Sequence, residues 1–140
     1  MIMTDSEIYK RKEMITPFNE KQLTPNGYDV SVNKDTKLYP GEFLAVVTEE
    51  TLKIPKDVVA QIWLKTKYAR LGIQATFGMI DSGFEGTLAL SLYNSNSYIV
   101  NIKEGNTIAQ VVFIKLDREV EKSYEERSGN YQHQKEELIV

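Results

Sequence analysis

Asp81 is the residue in this chain that its neighbours best equip for chemistry. It stands in Gly78-Met79-Ile80-Asp81-Ser82-Gly83-Phe84-Glu85-Gly86, with apolar Ile80 before it, an aromatic three residues later and glycines on both sides. Glycines at this spacing suit a tight hairpin pressed against a ligand. A partly buried carboxylate beside an aromatic platform is therefore expected, able to activate water next to a flat, ring-containing substrate. The same nine residues also make an ordinary β-turn with a solvated acid and a core Phe. Other segments must decide.

Four such segments exist. Pro25-Asn26-Gly27-Tyr28-Asp29-Val30 is a turn that delivers Asp29 to the start of a strand, where the acid could equally cap the turn. Leu64-Lys65-Thr66-Lys67-Tyr68-Ala69-Arg70 ends an apolar run with three cations and a hydroxyl. Cations beside a hydroxyl and turn amides suit a polyphosphate, although strand ends carry charge for solubility too. In Thr107-Ile108-Ala109-Gln110-Val111-Val112 an amide interrupts an apolar strand. A covered amide needs partners, so Gln110 is pinned by the chain or turned to a ligand or water. Arg127-Ser128-Gly129-Asn130-Tyr131-Gln132-His133-Gln134 is polar, with donors suited to phosphate.

The elements that must position these groups are mostly strands. Residues 28–32, 43–48, 58–66, 87–93, 98–102 and 107–116 are rich in β-branched and aromatic side chains and end in turn signals such as Tyr39-Pro40-Gly41 and Glu104-Gly105-Asn106. Leu88, Leu90 and Leu92 alternate with Ala89, Ser91 and Tyr93, which predicts one core face. Thr4-Asp5-Ser6-Glu7 has capping-box spacing and predicts a short N-terminal helix, with Pro17 closing it or marking its exit. Many short strands with little helix between them predict an all-β sandwich or barrel. Residues 1–118 read as that β domain. Residues 119–140, charged and aperiodic, read as an arm that is solvated or covers the site.

Composition narrows the chemistry. The chain has 140 residues, no cysteine, one histidine and a formal net charge of -3. Cysteine ligands and nucleophiles are excluded, and His133 alone would have to serve any triad. Nothing in the charge attracts nucleic acid or an anionic membrane, and no apolar run is long enough to span a bilayer. A cytoplasmic protein working on small molecules is the expectation. Asp, Glu, Lys and Arg remain, groups suited to magnesium, phosphate and activated water.

Taken in order, the five segments resemble the trimeric dUTPase and dCTP deaminase superfamily over most of the chain. Asn26-Gly27-Tyr28-Asp29-Val30 is similar to its first motif, and Lys65-Thr66-Lys67-Tyr68-Ala69-Arg70 to its second, normally Arg-Ser-Ser-Leu-Ala-Arg or Arg-Ser-Gly. Gly78 to Gly86 resembles the third and Glu104 to Gln110 the fourth. The resemblance implies a distorted jelly-roll-like β-barrel (β-clip) with a short N-terminal helix, assembled as a homotrimer with sites between subunits. It implies dUTP hydrolysis to dUMP and pyrophosphate, with Asp81 as general base and Gln110 orienting the water or holding a phosphate oxygen. Lys65, Thr66, Lys67 and Arg70 would bind phosphates; Gly78, Ile80 and Phe84 the nucleoside; Arg127, Tyr131 and Gln134 would cover the substrate. Asp29 would support Mg2+ through its water shell.

The N-terminal helix and the tail Asn130-Tyr131-Gln132-His133-Gln134 look more like the deaminase and archaeal-type branch. Deaminases, however, carry a catalytic Glu in Leu-Glu-Phe-Tyr-Asn, where this chain has Leu90-Ser91-Leu92-Tyr93-Asn94. That substitution counts against deamination. A deaminase or bifunctional enzyme is the alternative, and so is a nucleotide-binding regulator of the same fold. A β-sandwich structural or capsid protein would leave Gln110 and the hairpin acid unexplained.

Overall fold

In the computed structural model, residues 1–135 are described. Thr4 caps α1 (Asp5–Lys10): its side chain accepts from the Glu7 amide while the Glu7 carboxylate accepts from the Thr4 amide. The helix ends at Arg11, six residues before Pro17, so the proline does not close it. Arg11 leaves the helix to grip Asp57 with two hydrogen bonds of 3.1 and 2.8 Å.

Ten strands follow: β1 (Ile15–Thr16), β2 (Leu23–Thr24), β3 (Gly27–Ser31), β4 (Thr36–Leu38), β5 (Phe43–Lys53), β6 (Val58–Leu64), β7 (Ile73–Ala75), β8 (Glu85–Asn94), β9 (Val100–Ile102) and β10 (Thr107–Lys115). Every pairing is antiparallel. One sheet runs β1-β5-β8-β7, a second β2-β3-β10-β6, and β4 pairs with β9. The result is the expected all-β, jelly-roll-like barrel. Its core holds the fully buried Tyr28, Val30, Leu52, Leu90, Leu92, Ile108 and Phe113. The alternation in β8 falls as expected, with Leu88, Leu90 and Leu92 inward and Tyr93 exposed. Truncating one of these leucines to Ala would cost about 2–5 kcal/mol.

Three expectations about the elements are corrected. The strand expected over 58–66 ends at Leu64, and Thr66–Arg70 turns into α2, held down by buried Tyr68. The strand expected over 98–102 begins at Val100, because Tyr98 and Ile99 stand out in solvent with no partner strand. The strand expected over 43–48 runs on to Lys53 through a register shift between Val47 and Thr51. That shift turns Glu50 inward, where its carboxylate accepts from the Ser31 amide and hydroxyl (both 2.8 Å) and from Gln22 Nε2 (2.9 Å).

The charged stretch after residue 119 also departs from a solvated arm. It forms α3 (Tyr124–Arg127), and Ser123 and Gln134 are buried against the barrel.

The Arg11 guanidinium holds the Asp57 carboxyl below the usual carboxylate range, chiefly through its hydrogen bonds. A carboxyl depressed in the folded state stabilises at pH values above its unfolded pKa, about 4, and loses that contribution as pH falls through the folded value. Denaturant melts of the protein and of Asp57→Asn should therefore differ at pH 6 and draw together as pH falls below about 4. A gap that persists undiminished into acid would show that the pair is not the source.

Candidate functional site

The hairpin is built on β6. Ile80 and Ala60 exchange both backbone hydrogen bonds (2.9 and 3.0 Å), and the Ser82 hydroxyl donates to the Val58 carbonyl. The turn closes with the Phe84 amide donating to the Asp81 carbonyl at 3.1 Å, across Gly83 at φ +89°. These bonds fix the backbone and leave the Asp81 side chain exposed rather than partly buried. Ile80 is itself buried with both backbone polar groups spent on Ala60, which leaves Gly78 and Met79 as the hairpin's open edge. Gly78 has no steric need of glycine within the chain, since a Cβ there would meet nothing within 4 Å.

The tail packs over this hairpin. Phe84 is nearly buried and meets the Tyr124 ring edge-on, with centroids 5.5 Å apart. Gln132 grips the hairpin backbone at both ends of its amide: its Oε1 accepts from Glu85 N (2.9 Å) and its Nε2 donates to Gly83 O (3.0 Å). The Thr87 amide donates to the Gln134 carbonyl at 2.8 Å, and the Gln134 side chain donates back to Thr87 O at 3.2 Å. Gln134 thus spends one of its two amide donors on the barrel. Between tail and barrel lies a cleft of about 490 Å³, lined by Asp81, Phe84, Ile62, Ala89, Tyr131 and Gln134 among others. Arg127 is exposed and lines a neighbouring cleft that Asp81 also borders. Ser91 follows Ala89 by two residues on β8 and so shares its face.

The remaining candidates gather on the other sheet. Gln110 on β10 lies opposite Asp29 on β3 and Trp63 on β6, so these three side chains form one row on one face. The Gln110 carbonyl oxygen accepts from the Thr24 hydroxyl (2.7 Å) and from the Asn26 amide (3.3 Å). Gly27 is required here, because a Cβ would sit 2.7 Å from the Val111 carbonyl oxygen as well as 2.7 Å from that side-chain oxygen. With its acceptor occupied, Gln110 presents its NH2 group as a donor. Lys65 Nζ lies 3.0 Å from Asp29 Oδ2 and donates to Thr107 Oγ1 at 2.9 Å. Thr66, Lys67 and Arg70 are exposed along α2.

The chain therefore carries two groups. Asp81 and Phe84 line one cleft with Tyr131 and Gln134, and none of Asp29, Lys65 or Gln110 borders it. The first group offers a carboxylate in an apolar, aromatic setting. The second offers cations, hydroxyls and an amide donor, a set suited to phosphate oxygens. No cluster of three or more metal-ligating side chains occurs among the described residues. A magnesium ion carried on a triphosphate needs few protein ligands, and the single carboxylate of Asp29 fits contact with such an ion through water.

Thr24, Asn26, Thr107, Tyr124 and Gln132 escaped the sequence reading as members of these groups. Thr24 and Asn26 flank the turn before Asp29, which was their one available signal. The others depend on register or on how the tail docks.

Comparison with known proteins follows the same lines. Residues 31–116 match the family model described as dCTP deaminase-like. A protein from Pyrococcus horikoshii named dCTP deaminase is 36% identical over 148 residues, spanning 94% of this chain and 92% of its own. Among solved structures, the 2′-deoxycytidine 5′-triphosphate deaminase of Agrobacterium tumefaciens superposes with a TM-score of 0.71 at 17% identity, over 80% of this chain and 48% of that one. A mutant dUTPase from phage phi11 of S. aureus, described as coordinating a structural Mg(II) ion, superposes with a TM-score of 0.59 at 20% identity, over 73% and 84% of the two chains. At these identities the structural likenesses establish the fold alone.

Gly83 tests how the tail is held. A Cβ there would lie 2.6 Å from the Ser123 Cβ, and its left-handed backbone costs an L-residue about 1–2 kcal/mol. Gly83→Ala should lift α3 from the hairpin, so that trypsin cuts after Lys122 or Arg127 much faster while the barrel keeps its melting transition. Unchanged cleavage would show that the tail is anchored elsewhere.

Proposed function

The chain belongs to the dCTP deaminase-like family, and on that premise we propose that it is an enzyme of pyrimidine deoxynucleoside triphosphates, with dCTP deamination as its first reaction. The order drawn from the sequence, dUTP hydrolysis ahead of deamination, is thereby reversed. The relative named dCTP deaminase shares 36% identity across nearly the whole chain, whereas the dUTPase likeness is one of fold. The observation that carries the chemistry is Asp81, the one carboxylate among the described residues on a cleft otherwise lined by apolar, aromatic and neutral polar side chains.

In this reading Asp81 takes a proton from a water that attacks C4 of the cytosine ring. It returns a proton to the departing amine, giving dUTP and ammonia. Phe84 packs beneath the deoxyribose, and the open backbone edge at Gly78 and Met79 faces the base. The Gln110 NH2 group and the cations Lys65, Lys67 and Arg70, with the Thr66 hydroxyl, hold the phosphates, while Tyr131 and Arg127 lie over the substrate. Asp29 would steady magnesium brought in on the triphosphate, an ion that lowers the charge of the phosphate chain. The place of work expected from the sequence, the cytoplasm, belongs to the same reading.

The two groups do not share a cleft, which supports a site assembled between copies in a homotrimer. Support also comes from a shallow groove lined by Trp63, Phe77 and Met79, two of whose members, Trp63 and Met79, are more than half exposed.

A second reading, hydrolysis of dUTP to dUMP and pyrophosphate, rests on Ser91. A carboxylate on that face of β8 would project toward the cleft, and a serine hydroxyl shuttles protons poorly near neutral pH. With no second acid, Asp81 could activate water against the α-phosphorus instead.

Incubation with dCTP, dUTP, dTTP and UTP separates the readings. Ammonia released from dCTP is the expected result, and Asp81→Asn should lower it by roughly 10²-fold or more without unfolding the protein. Pyrophosphate from dUTP with no ammonia from dCTP would replace the first reading by the second. Neither product would leave a binding protein of the same fold.

Assembly between copies has its own test. Asp81→Asn and Gln110→Ala, each inactive alone, should regain activity when unfolded together and refolded as a mixture. No recovery would mean that both groups act within one chain.

A further inference from the structure

We propose that Lys65 is a two-position cation, paired with Asp29 before substrate binds and surrendered to the triphosphate when substrate arrives. The inference rests on reading this cluster as the phosphate site and adds to it a cost and an order of events. In the structure the ammonium stands 3.0 Å from Asp29 Oδ2 and 2.9 Å from Thr107 Oγ1, with Lys65 about a third exposed and Asp29 less so. Both partners come from strands whose register is fixed: Asp29 lies opposite Gln110, and Thr107 opposite Ser31. The Lys65 backbone is tied as well, its amide donating to the Ile108 carbonyl at 3.0 Å. Only the side chain is left free to move.

The residue type suits such a transfer. An ammonium is a compact charge on a flexible stem with three rotatable donors, so it can exchange one anionic partner for another by turning its last bonds. A guanidinium would hold the carboxylate through a flat fork and release it less readily. Gln110, fixed in the same row with its NH2 group as donor, and exposed Lys67 and Arg70, which have no anionic partner among the described residues, supply other contacts. Where no magnesium ion bridges the two, Asp29 therefore acts as a brake on phosphate binding. Substrate must break one ion pair to form another.

The test is a double-mutant cycle on inorganic tripolyphosphate binding, measured by calorimetry in EDTA with the full-length protein. Asp29→Asn should tighten binding roughly fivefold by releasing Lys65, the range open to a partly exposed pair. Lys65→Met should weaken binding at least roughly tenfold, as loss of a charged hydrogen bond does. In the Lys65→Met background the Asp29→Asn gain should vanish. An equal gain in both backgrounds would mean plain repulsion by Asp29 and would overturn the switch while leaving the phosphate site intact. A wild-type protein that binds no tripolyphosphate would overturn the phosphate-site reading as well. Lys65→Gln replaces the Met variant if the latter fails to fold by circular dichroism.

Discussion

The arrangement of this molecule depends on the register of β10, which is hydrogen-bonded to β3 on one side and β6 on the other. Side chains alternate between the two faces of a strand, so a slip of one residue would send Gln110 into the core and bring an apolar neighbour out. Buried Ile108, Val111 and Phe113 forbid that slip. Once the register holds, Asp29, Gln110 and Trp63 must share a row. Lys65, which follows the last residue of β6, must end beside Asp29. The buried Glu50 reinforces the same sheet from behind, accepting from Ser31 at the end of β3.

β6 also sets the distance between the two functional groups. Its third residue, Ala60, holds the hairpin through Ile80, and the residue after its end is Lys65. Five residues of extended chain separate them by roughly 17 Å at about 3.4 Å per residue. A side chain does not bridge that gap. The Asp81 carboxylate and the group of Asp29, Lys65 and Gln110 therefore stand at separate places on one chain, the separation on which the proposed assembly between copies rests. The described part of the tail, up to residue 135, meets the first of these places. It adds Gln132 and Gln134 to the hairpin and closes the Asp81 cleft with Tyr124 and Tyr131.

Family membership and side-chain inventory pull in different directions at one position. Ser91 shares a face of β8 with Ala89, which lines the cleft, but does not itself line it, and it offers a hydroxyl rather than a carboxylate as proton carrier. In the proposed readings the absence of that carboxylate leaves Asp81 to serve alone, as acid and base in succession for deamination or as base only for hydrolysis. The two proposed reactions need a water at different atoms, C4 of the ring for deamination and the α-phosphorus for hydrolysis, and each asks the same carboxylate to activate it.

Much of this was legible in the amino-acid sequence. Period-two alternation in β8 and the turn signals between strands announced an antiparallel barrel, because burial of one face is written directly into side-chain order. Asp29, Lys65, Asp81 and Gln110 stood out because each is a polar group where an apolar or turn residue was due. The capping box at Thr4 was local enough to read as well. Other features were not local. The inward turn of Glu50 needed a register shift between two strands, and the helix at Thr66 needed Tyr68 to find a place in the core. The tail looked solvated from its charge, yet docks through a few side chains and backbone bonds that composition cannot reveal. Above all, the sequence supplied the ordered set of functional groups. Only the tertiary structure decided that Lys65 faces Asp29 and that Asp81 stands apart from both, because strand pairing, not proximity along the chain, sets which side chains meet.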